Sequence, residues 1–170
     1  MPLTPADLLE AQRLCAEGSE TEALKLCGDF IAEHPDHPLG YHMRALVRTV
    51  MGNGHLALAD RDKVVSLRPG APGAYMARAD DHLRLHDFAA AAADLDRAQK
   101  YDDGHYWPMI PLLRAHCVAR LGRFEQALAE CDGVPEDYLL PGFAADVPAS
   151  ARAVRAEIAM LRARAEQEDN

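Results

Sequence analysis

The amino-acid sequence predicts an all-α protein, built as a solenoid of antiparallel helix pairs. Two observations predict it: an internal period of about 34 residues, and helix-ending residues at fixed points of each period. In each period an alanine is followed twelve residues later by a second alanine. The four pairs are Ala11/Ala23, Ala45/Ala57, Ala79/Ala91 and Ala115/Ala127. Small side chains where two helices cross let their backbones approach closely, so each period is expected to form one helix pair.

Glycine and proline mark where the predicted helices end. Seven residues after the first alanine of each copy stands the turn residue, which is Gly18, Gly52, His86 or Gly122. Glycine adopts the left-handed conformation at a helix C-terminus without steric cost. Twelve residues after the second alanine come Pro35 and Pro69, with Asp103 in the third copy. Proline cannot continue a helix, so each copy is expected to end there.

These signals predict a set of helices and one domain over residues 1–170. The helices are expected at 5–17, 20–33, 38–51, 54–67, 72–85, 88–100, 108–121 and 124–132. They form four repeats, at about 4–37, 38–71, 72–105 and 108–138, followed by an irregular linker at 135–147. A last helix at 148–167 carries apolar residues spaced three and four apart, as on an amphipathic helix. We expect it to cap the solenoid with its apolar face and to expose a polar back.

A period of 34 residues with these alanines, glycines and prolines resembles the tetratricopeptide repeat (TPR) family. The likeness covers about residues 4–138, and Tyr41-His-Met-Arg-Ala45 and Tyr75-Met-Ala-Arg-Ala79 match each other most closely. The resemblance implies a right-handed solenoid whose first helices line a concave groove. It also implies a module that binds other proteins, such as a scaffold, an adaptor or a chaperone-like holder.

The resemblance further implies which residues line the groove. They are Leu8 and Gln12 in the first copy; Leu39, His42, Leu46 and Thr49 in the second; Met76, Asp80, Leu83 and Arg84 in the third; and Met109, Leu112, His116 and Arg120 in the fourth. Because half of these are apolar, which is a high share for a surface, we expect an apolar helix or extended segment of a protein partner to dock there. An acidic group of the partner is expected to meet Arg84 or Arg120. The alternatives are a groove filled by the chain's own segments, or by a second copy in a self-associating structural protein or homodimer.

The residues at the groove positions exclude one function that is known in this family. Repeats that grip the C-terminal carboxylate of heat-shock chaperones carry lysine, asparagine and arginine at fixed groove positions. The matching positions here hold Leu8, Gln12, Met43, Gly73 and Ala77. The sequence therefore predicts that this carboxylate clamp is absent.

The composition limits the classes of partner and the cellular location that we expect. A net charge of −9 and a pI near 5.3 argue against nucleic acid and anionic membranes. The start of the chain shows no signal peptide, and no apolar run approaches the ~18 residues of a membrane span. The four cysteines show no C-x-x-C spacing and are expected to be reduced thiols in the cytoplasm. The 15 arginines against 3 lysines favour a bacterial source.

Among the sequence patterns, the pairs of carboxylates are the most similar to a catalytic site. Asp80-Asp81 and the pair Asp60/Asp62 could act as acid and base, but on amphipathic helices we interpret them as solvated carboxylates. No nucleophile accompanies them, so we expect neither an enzyme nor a cofactor.

Two further clusters have patterns typical of ligand sites. His82 and His86 have the i, i+4 spacing of zinc ligands but lack a third ligand, and packing is the favoured interpretation. A metal- or small-ligand-binding regulator remains an alternative. The segment 101–108 holds the single tryptophan, and it is expected either to fasten this connection to the core or to form a binding hot spot.

Overall fold

The computed structural model describes residues 3–144 and 146–168, and this part of the chain is all-α. It contains nine helices: α1 (Asp7–Ala16), α2 (Glu20–Glu33), α3 (Pro38–Val50), α4 (Gly54–Leu67), α5 (Pro72–Arg84), α6 (Phe88–Tyr101), α7 (Met109–Arg120), α8 (Phe124–Glu130) and α9 (Ala151–Glu168). The predicted fold class is confirmed, and the bounds of α1 to α8 agree with the expected ranges to within two residues. Residues 1, 2, 145, 169 and 170, which the prediction of one domain includes, lie outside the described residues.

Contacts between residues divide the chain into two compact units. The first runs to Ala74 and contains α1 to α4, and the second begins at Tyr75 and contains α6 to α9 and most of α5. A single domain over the whole chain stays a prediction, and the two units are described separately.

The first unit is a stack of two helix pairs. Helix α1 packs against α2 and α3, and α3 packs against α2 and α4. All four repeat alanines of this unit are fully buried, as expected for helix crossings. Gly40 on α3 marks the closest approach to α2, because a Cβ there would lie 2.9 Å from Cδ1 of Phe30 and 2.8 Å from Cγ1 of Ile31. Only glycine fits such a contact without a shift of the packed side chains.

In the second unit α7 is the central helix. It packs against α6, α8 and α9, and α9 also contacts α8. The repeat alanines of this unit are fully buried too. The predicted capping position of the last helix, against the final repeat, therefore agrees with its contacts.

The predicted turns have the expected backbone. Gly18, Gly52 and Gly122 adopt φ of 81°, 75° and 76°. In the third copy His86 takes the same left-handed conformation, with φ of 57°. The turn geometry is thus maintained even where the residue is not glycine.

A recurring ion pair joins the two helices of each of the last three repeats. Arg44 Nη2 lies 2.7 Å from Asp60 Oδ1, Arg78 Nη2 lies 2.7 Å from Asp94 Oδ1, and Arg114 Nη2 lies 2.6 Å from Glu130 Oε2. In each case the arginine precedes the buried alanine of the first helix, and the acid stands sixteen residues later on the second. The pairs thus place charge inside the helix–helix contact.

The expectation that Asp60 and Asp81 lie on solvated faces is wrong. Both side chains are buried. Asp60 accepts hydrogen bonds from Arg44 and Arg48, which offset the cost of burying its charge. Asp62 is exposed, as expected.

The connection to the last helix is a closed loop, residues 139–149, which we call the C-terminal loop. Leu140 N donates to Ala149 O at 3.0 Å, and Ala151 N donates to Tyr138 O at 2.9 Å, so the two ends of the loop are held together. Because these bonds continue to Ala151, α9 starts there, three residues later than expected.

The outer side of α9 is polar only in part: Arg152, Arg162 and Arg164 are exposed, as the sequence pattern predicts, but apolar residues stand beside them. Ala156, Ala159, Met160 and Ala163 are exposed, and the Met160 residue is 64% exposed. Two of the charges expected on this back are instead engaged with the core, because Arg155 donates to the carbonyl of Cys131 and Glu157 contacts His116. The cap therefore exposes an apolar ridge.

No helix in the described part of the chain is long and apolar enough to cross a membrane. The cysteines are free thiols, and three of the four are buried. Burial raises the pKa of Cys27 to about 11 and that of Cys117 to about 12. Such thiols are protonated at neutral pH and poorly reactive.

Candidate functional site

The predicted groove residues of the first unit lie on α1 and α3, and they differ in exposure. Leu8 is buried in a cluster with Ala11, Phe30 and other core residues, so it is unavailable to a ligand. Gln12 is exposed, and Leu39 is half-buried. The structure thus differs from the expected open groove at Leu8.

Helix α3 presents the open part of this set. Leu46 is 38% exposed, and Val50, one helical turn further, is 64% exposed. His42 and Thr49 are half-buried; Arg61 donates to His42 Nδ1 at 2.8 Å, and the Thr49 hydroxyl donates to Ala45 O at 3.0 Å. Leu46 and Val50 therefore stand as exposed apolar side chains beside polar groups that are already hydrogen-bonded. We call the side of α3 that carries His42, Leu46, Thr49 and Val50 the α3 face.

In the second unit the predicted groove residues are mostly covered. Met76, Leu83, Leu112 and His116 are buried, and Met109 is half-buried. These four buried positions do not form the open surface that the repeat pattern predicts. For α7 the physical reason is that α9 packs against it.

His116 and Arg120 on α7 both contact the last helix; His116 is fully buried, whereas the side chain of Arg120 is 34% exposed. Nδ1 of His116 lies 2.6 Å from Oε2 of Glu157, and its ring meets Phe88 edge-on at 5.7 Å between centroids. Arg120 Nη1 lies 3.6 Å from Oε1 of Glu157, and its guanidinium lies over Phe88. Glu157 of α9 therefore occupies the place at Arg120 that the sequence assigns to an acidic group of a partner.

Asp80 on α5 is also engaged by the chain itself. Its Oδ1 accepts a hydrogen bond of 2.8 Å from the backbone N–H of Ala144, in the C-terminal loop. Its Oδ2 accepts from Nε of Arg84 at 3.1 Å. Burial raises the pKa of the Asp80 carboxyl, and Arg84 and the Ala144 amide offset part of that effect. The predicted alternative in which the chain's own segments fill the groove positions thus applies to this part of the second unit.

The two histidines considered as zinc ligands do not share a helical face. Helix α5 ends at Arg84, and His86 lies beyond it with a positive φ. Its Nδ1 lies 3.2 Å from Asp146 Oδ2, whereas His82 Nε2 lies 3.8 Å from Asp94 Oδ2. Within residues 3–144 and 146–168 no group of three or more histidine, cysteine, aspartate or glutamate side chains could hold a metal ion.

The aromatic segment 101–108 is fastened at Tyr101, and Pro108 at its other end is buried. The Tyr101 ring stacks on Tyr75 with 5.9 Å between centroids, and Asp102 accepts a hydrogen bond from Tyr106 N. Trp107 is 56% exposed. The stacking favours the structural interpretation for Tyr101, and the exposed indole leaves the hot-spot interpretation open for Trp107.

Comparison with known proteins finds a partial relative. No family model matches the sequence. A tetratricopeptide repeat and J domain-containing co-chaperone of Cryptococcus neoformans var. grubii is 34% identical over 85 residues. The match covers 50% of this chain and only 16% of that protein.

Solved structures with similar folds cover more of the chain. The crystal structure of MamA has a TM-score of 0.65 at 9% identity, covering 98% of this chain and 82% of MamA. A thermophilic TPR protein of Thermus thermophilus has a TM-score of 0.61 at 20% identity, covering 98% and 85%. The TPR2B domain of yeast Sti1, in its pHsp70 complex, has a TM-score of 0.58 at 21% identity, covering 74% and 97%. The chain therefore has the fold of TPR proteins, and the resemblance that the 34-residue period predicts is confirmed.

Proposed function

We propose that the chain is a protein-interaction module and that it binds an apolar helix or extended segment of a partner on the α3 face. The observation that carries this proposal is the pair Leu46 and Val50, two apolar side chains exposed one turn apart on a first helix. Neighbouring exposed apolar side chains on a folded surface favour a contact with another molecule. The neighbouring polar groups of His42 and Thr49 already have hydrogen-bond partners, so the added contact area is apolar.

Relatives of the same fold support a binding role. The TPR2AB and TPR2B domains of yeast Sti1 were solved in complexes with pHSP90 and pHsp70, and the partial relative of Cryptococcus is a co-chaperone. For this chain we infer an adaptor, scaffold or chaperone-like holder in the cytoplasm. Because the positions of the carboxylate clamp hold Leu8, Gln12 and Met43, we infer a partner recognised through apolar side chains rather than through a terminal carboxylate.

We infer that the chain is not an enzyme. The carboxylates with the strongest claim to acid–base chemistry have structural partners: Asp60 is paired with Arg44 and Arg48, and Asp80 holds Arg84 and a backbone N–H. A carboxylate that is tied to guanidinium groups inside a helix contact is poorly placed to exchange protons with a substrate.

Glutamate substitutions on the α3 face test the proposal. Leu46→Glu combined with Val50→Glu puts two charges into the apolar contact, and burying each unpaired charge is unfavourable. We expect capture of crosslinked partners from the native organism to be lost, while the helical circular dichroism signal is unchanged. Leu128→Glu is the matched control, because Leu128 on α8 is 40% exposed and lies in the second unit. Capture that survives in the double variant, or is lost equally in the control, contradicts the proposal.

Self-association is a second candidate function, favoured by the outer ridge of α9. Met160 stands on this ridge among the exposed Ala156, Ala159 and Ala163, where a polar back is expected. If copies of the chain associate there, sedimentation without any partner will show a mass that rises with concentration. Met160→Glu is then expected to return the protein to a monomer. A monomer over the whole concentration range removes this candidate.

A further inference from the structure

Asp80 occupies a position where a ligand is expected, and part of the chain already binds it. In the repeat alignment Asp80 follows the first alanine of its copy, as Leu46 does on α3. Leu46 is exposed, whereas the side chain of Asp80 is only 24% exposed. Oδ1 of Asp80 accepts the backbone N–H of Ala144 at 2.8 Å, across 64 residues of sequence. The contact resembles the way in which an extended peptide would be held by a side chain of a groove.

We propose that Asp80 is an acceptor for the backbone of an extended peptide, and that the chain's own segment 141–144 occupies this place until a partner peptide of similar chemistry displaces it. The proposal rests on the proposed function and adds to it a second binding position and the kind of segment that fits there.

The environment of Asp80 suits a backbone donor. A half-buried carboxylate needs hydrogen-bond donors to offset its lost hydration. Arg84 supplies one donor to Oδ2, and the other oxygen takes the amide of Ala144. A hydrogen bond to an ionised group is stronger than a hydrogen bond between neutral groups. Any extended segment that brings a free N–H to Oδ1 can replace Ala144.

The resident segment can leave without unfolding the loop base. The loop base is held by the backbone bonds of Leu140 to Ala149 and of Ala151 to Tyr138, which do not involve α5. Between the base and Ala144 the residues Pro141 and Gly142 are exposed. Release from Asp80 therefore needs the loss of the Ala144 bond and of the contacts of the Ala144 and Phe143 side chains, and the contact of 3.2 Å between His86 and Asp146 opposes it.

The resident segment also defines the chemistry of a partner. Ala144 is buried and Phe143 is half-buried, so the segment contributes apolar side chains along with its amide. Pro141-Gly142 keeps the segment out of helical conformation, because proline and glycine both disfavour a helix interior. The expected partner is an extended, apolar peptide with a free amide for Asp80.

A peptide with the sequence of residues 138–147 is the probe for this site. It is synthesised with blocked termini and a fluorescent label, and its binding to the full chain is followed by fluorescence anisotropy. In the wild-type chain the tethered segment competes at an effective concentration of about millimolar, so we expect weak binding. Ala144→Pro removes the N–H that Asp80 accepts, and we expect this variant to bind the peptide about ten-fold more tightly. Leu139→Ala, at an exposed side chain of the same loop, is the control and is expected to bind as the wild type does.

Two outcomes overturn the proposal. One is equal affinity of the wild type and Ala144→Pro, and the other is a gain that persists when Asp80→Ala is added to Ala144→Pro. If Ala144→Pro fails to fold, His86→Ala provides a second test, because it removes the contact of 3.2 Å between His86 Nδ1 and Asp146 Oδ2 that also holds the loop. Loss of this contact is expected to ease release of the loop, so His86→Ala is expected to bind the peptide more tightly than the wild type does. Unchanged binding overturns the proposal, whereas failure of the Leu46 and Val50 test affects only the α3 face.

Discussion

Asp80 has a half-buried carboxylate, and this carboxylate accepts a hydrogen bond from the backbone of a segment 64 residues away. The sequence alone does not connect these two observations. The repeat pattern places Asp80 on the ligand-binding side of its helix, and this is where the structure has it in contact with the C-terminal loop. Its partner could not be predicted, because no periodicity describes the path of the loop.

The pKa of Asp80 gives a pH dependence with a defined sign. Burial raises its pKa above the ordinary 3.8, so the folded protein binds this proton more tightly than the unfolded chain does. The contribution of the protonated form to stability is fully present below pH 3.8 and is lost as pH rises through the folded pKa. Asp80→Asn does not titrate, so its free energy of unfolding relative to wild type is expected to increase with pH across that window.

Urea unfolding of both proteins at a series of pH values measures this difference. Asp36→Asn, at an exposed position in the turn between α2 and α3, controls for the general effect of removing one negative charge. A difference that falls with rising pH, or that the control reproduces, contradicts the assignment.

The sequence indicates which residues are candidates for the site, but it does not indicate which of them are exposed. The family resemblance assigns Leu46 to the groove, and Leu46 is exposed on α3. It could not predict that Leu83, Leu112 and His116 are buried, because α9 and the C-terminal loop stand outside the repeat. Burial of Asp60 was predictable in principle from the arginine that recurs sixteen residues before the acid in three copies.

At the scale of helices, the recurring arginine–acid pairs join the two members of a pair. Asp94 on α6 is buried and accepts from Arg78 on α5 at 2.7 Å with two of the guanidinium nitrogens, Nε and Nη2. Removing one partner of a buried ion pair leaves the other charge uncompensated. Asp94→Ala is therefore expected to lower the free energy of unfolding by about 3 kcal/mol or more.

Matched variants separate burial of the pair from loss of a charge. Asp29→Ala breaks the exposed Lys25–Asp29 pair on α2 and is expected to change the free energy of unfolding by about 1 kcal/mol at most. Arg78→Met with Asp94→Leu replaces both charges by apolar groups and is expected to recover much of the loss. Denaturant unfolding of the three variants gives the comparison, and equal effects of Asp94→Ala and Asp29→Ala would show that the buried pair has no special role.

The helices themselves were largely predictable. Glycine, proline and the alanine spacing act locally, so α1 to α8 begin and end close to the expected residues. Helix α9 was predicted as a cap because its apolar residues repeat every three or four positions. The start of α9 was not predictable, because backbone hydrogen bonds at the loop base determine it. The apolar outer ridge was not predictable either, because Arg155 and Glu157 turn inward to the core.

At the scale of the whole molecule, the two units use equivalent positions in different ways. In the first unit the α3 face leaves Leu46 and Val50 exposed. In the second unit the loop and α9 engage Asp80, His116 and Arg120. A partner would therefore meet an open apolar face in one unit and an occupied position in the other.

We propose the α3 face as the surface where the chain binds a partner protein, and site-specific photo-crosslinking is the sharpest test of this proposal. A photoreactive amino acid replaces Leu46 in one version of the full chain and Leu128 in another, because the two residues are almost equally exposed. Both versions are irradiated in the native cells, and the adducts are identified by mass spectrometry. We expect a discrete adduct with another protein from position 46 and none of that adduct from position 128. The same adducts from both positions, or none from position 46, would contradict it.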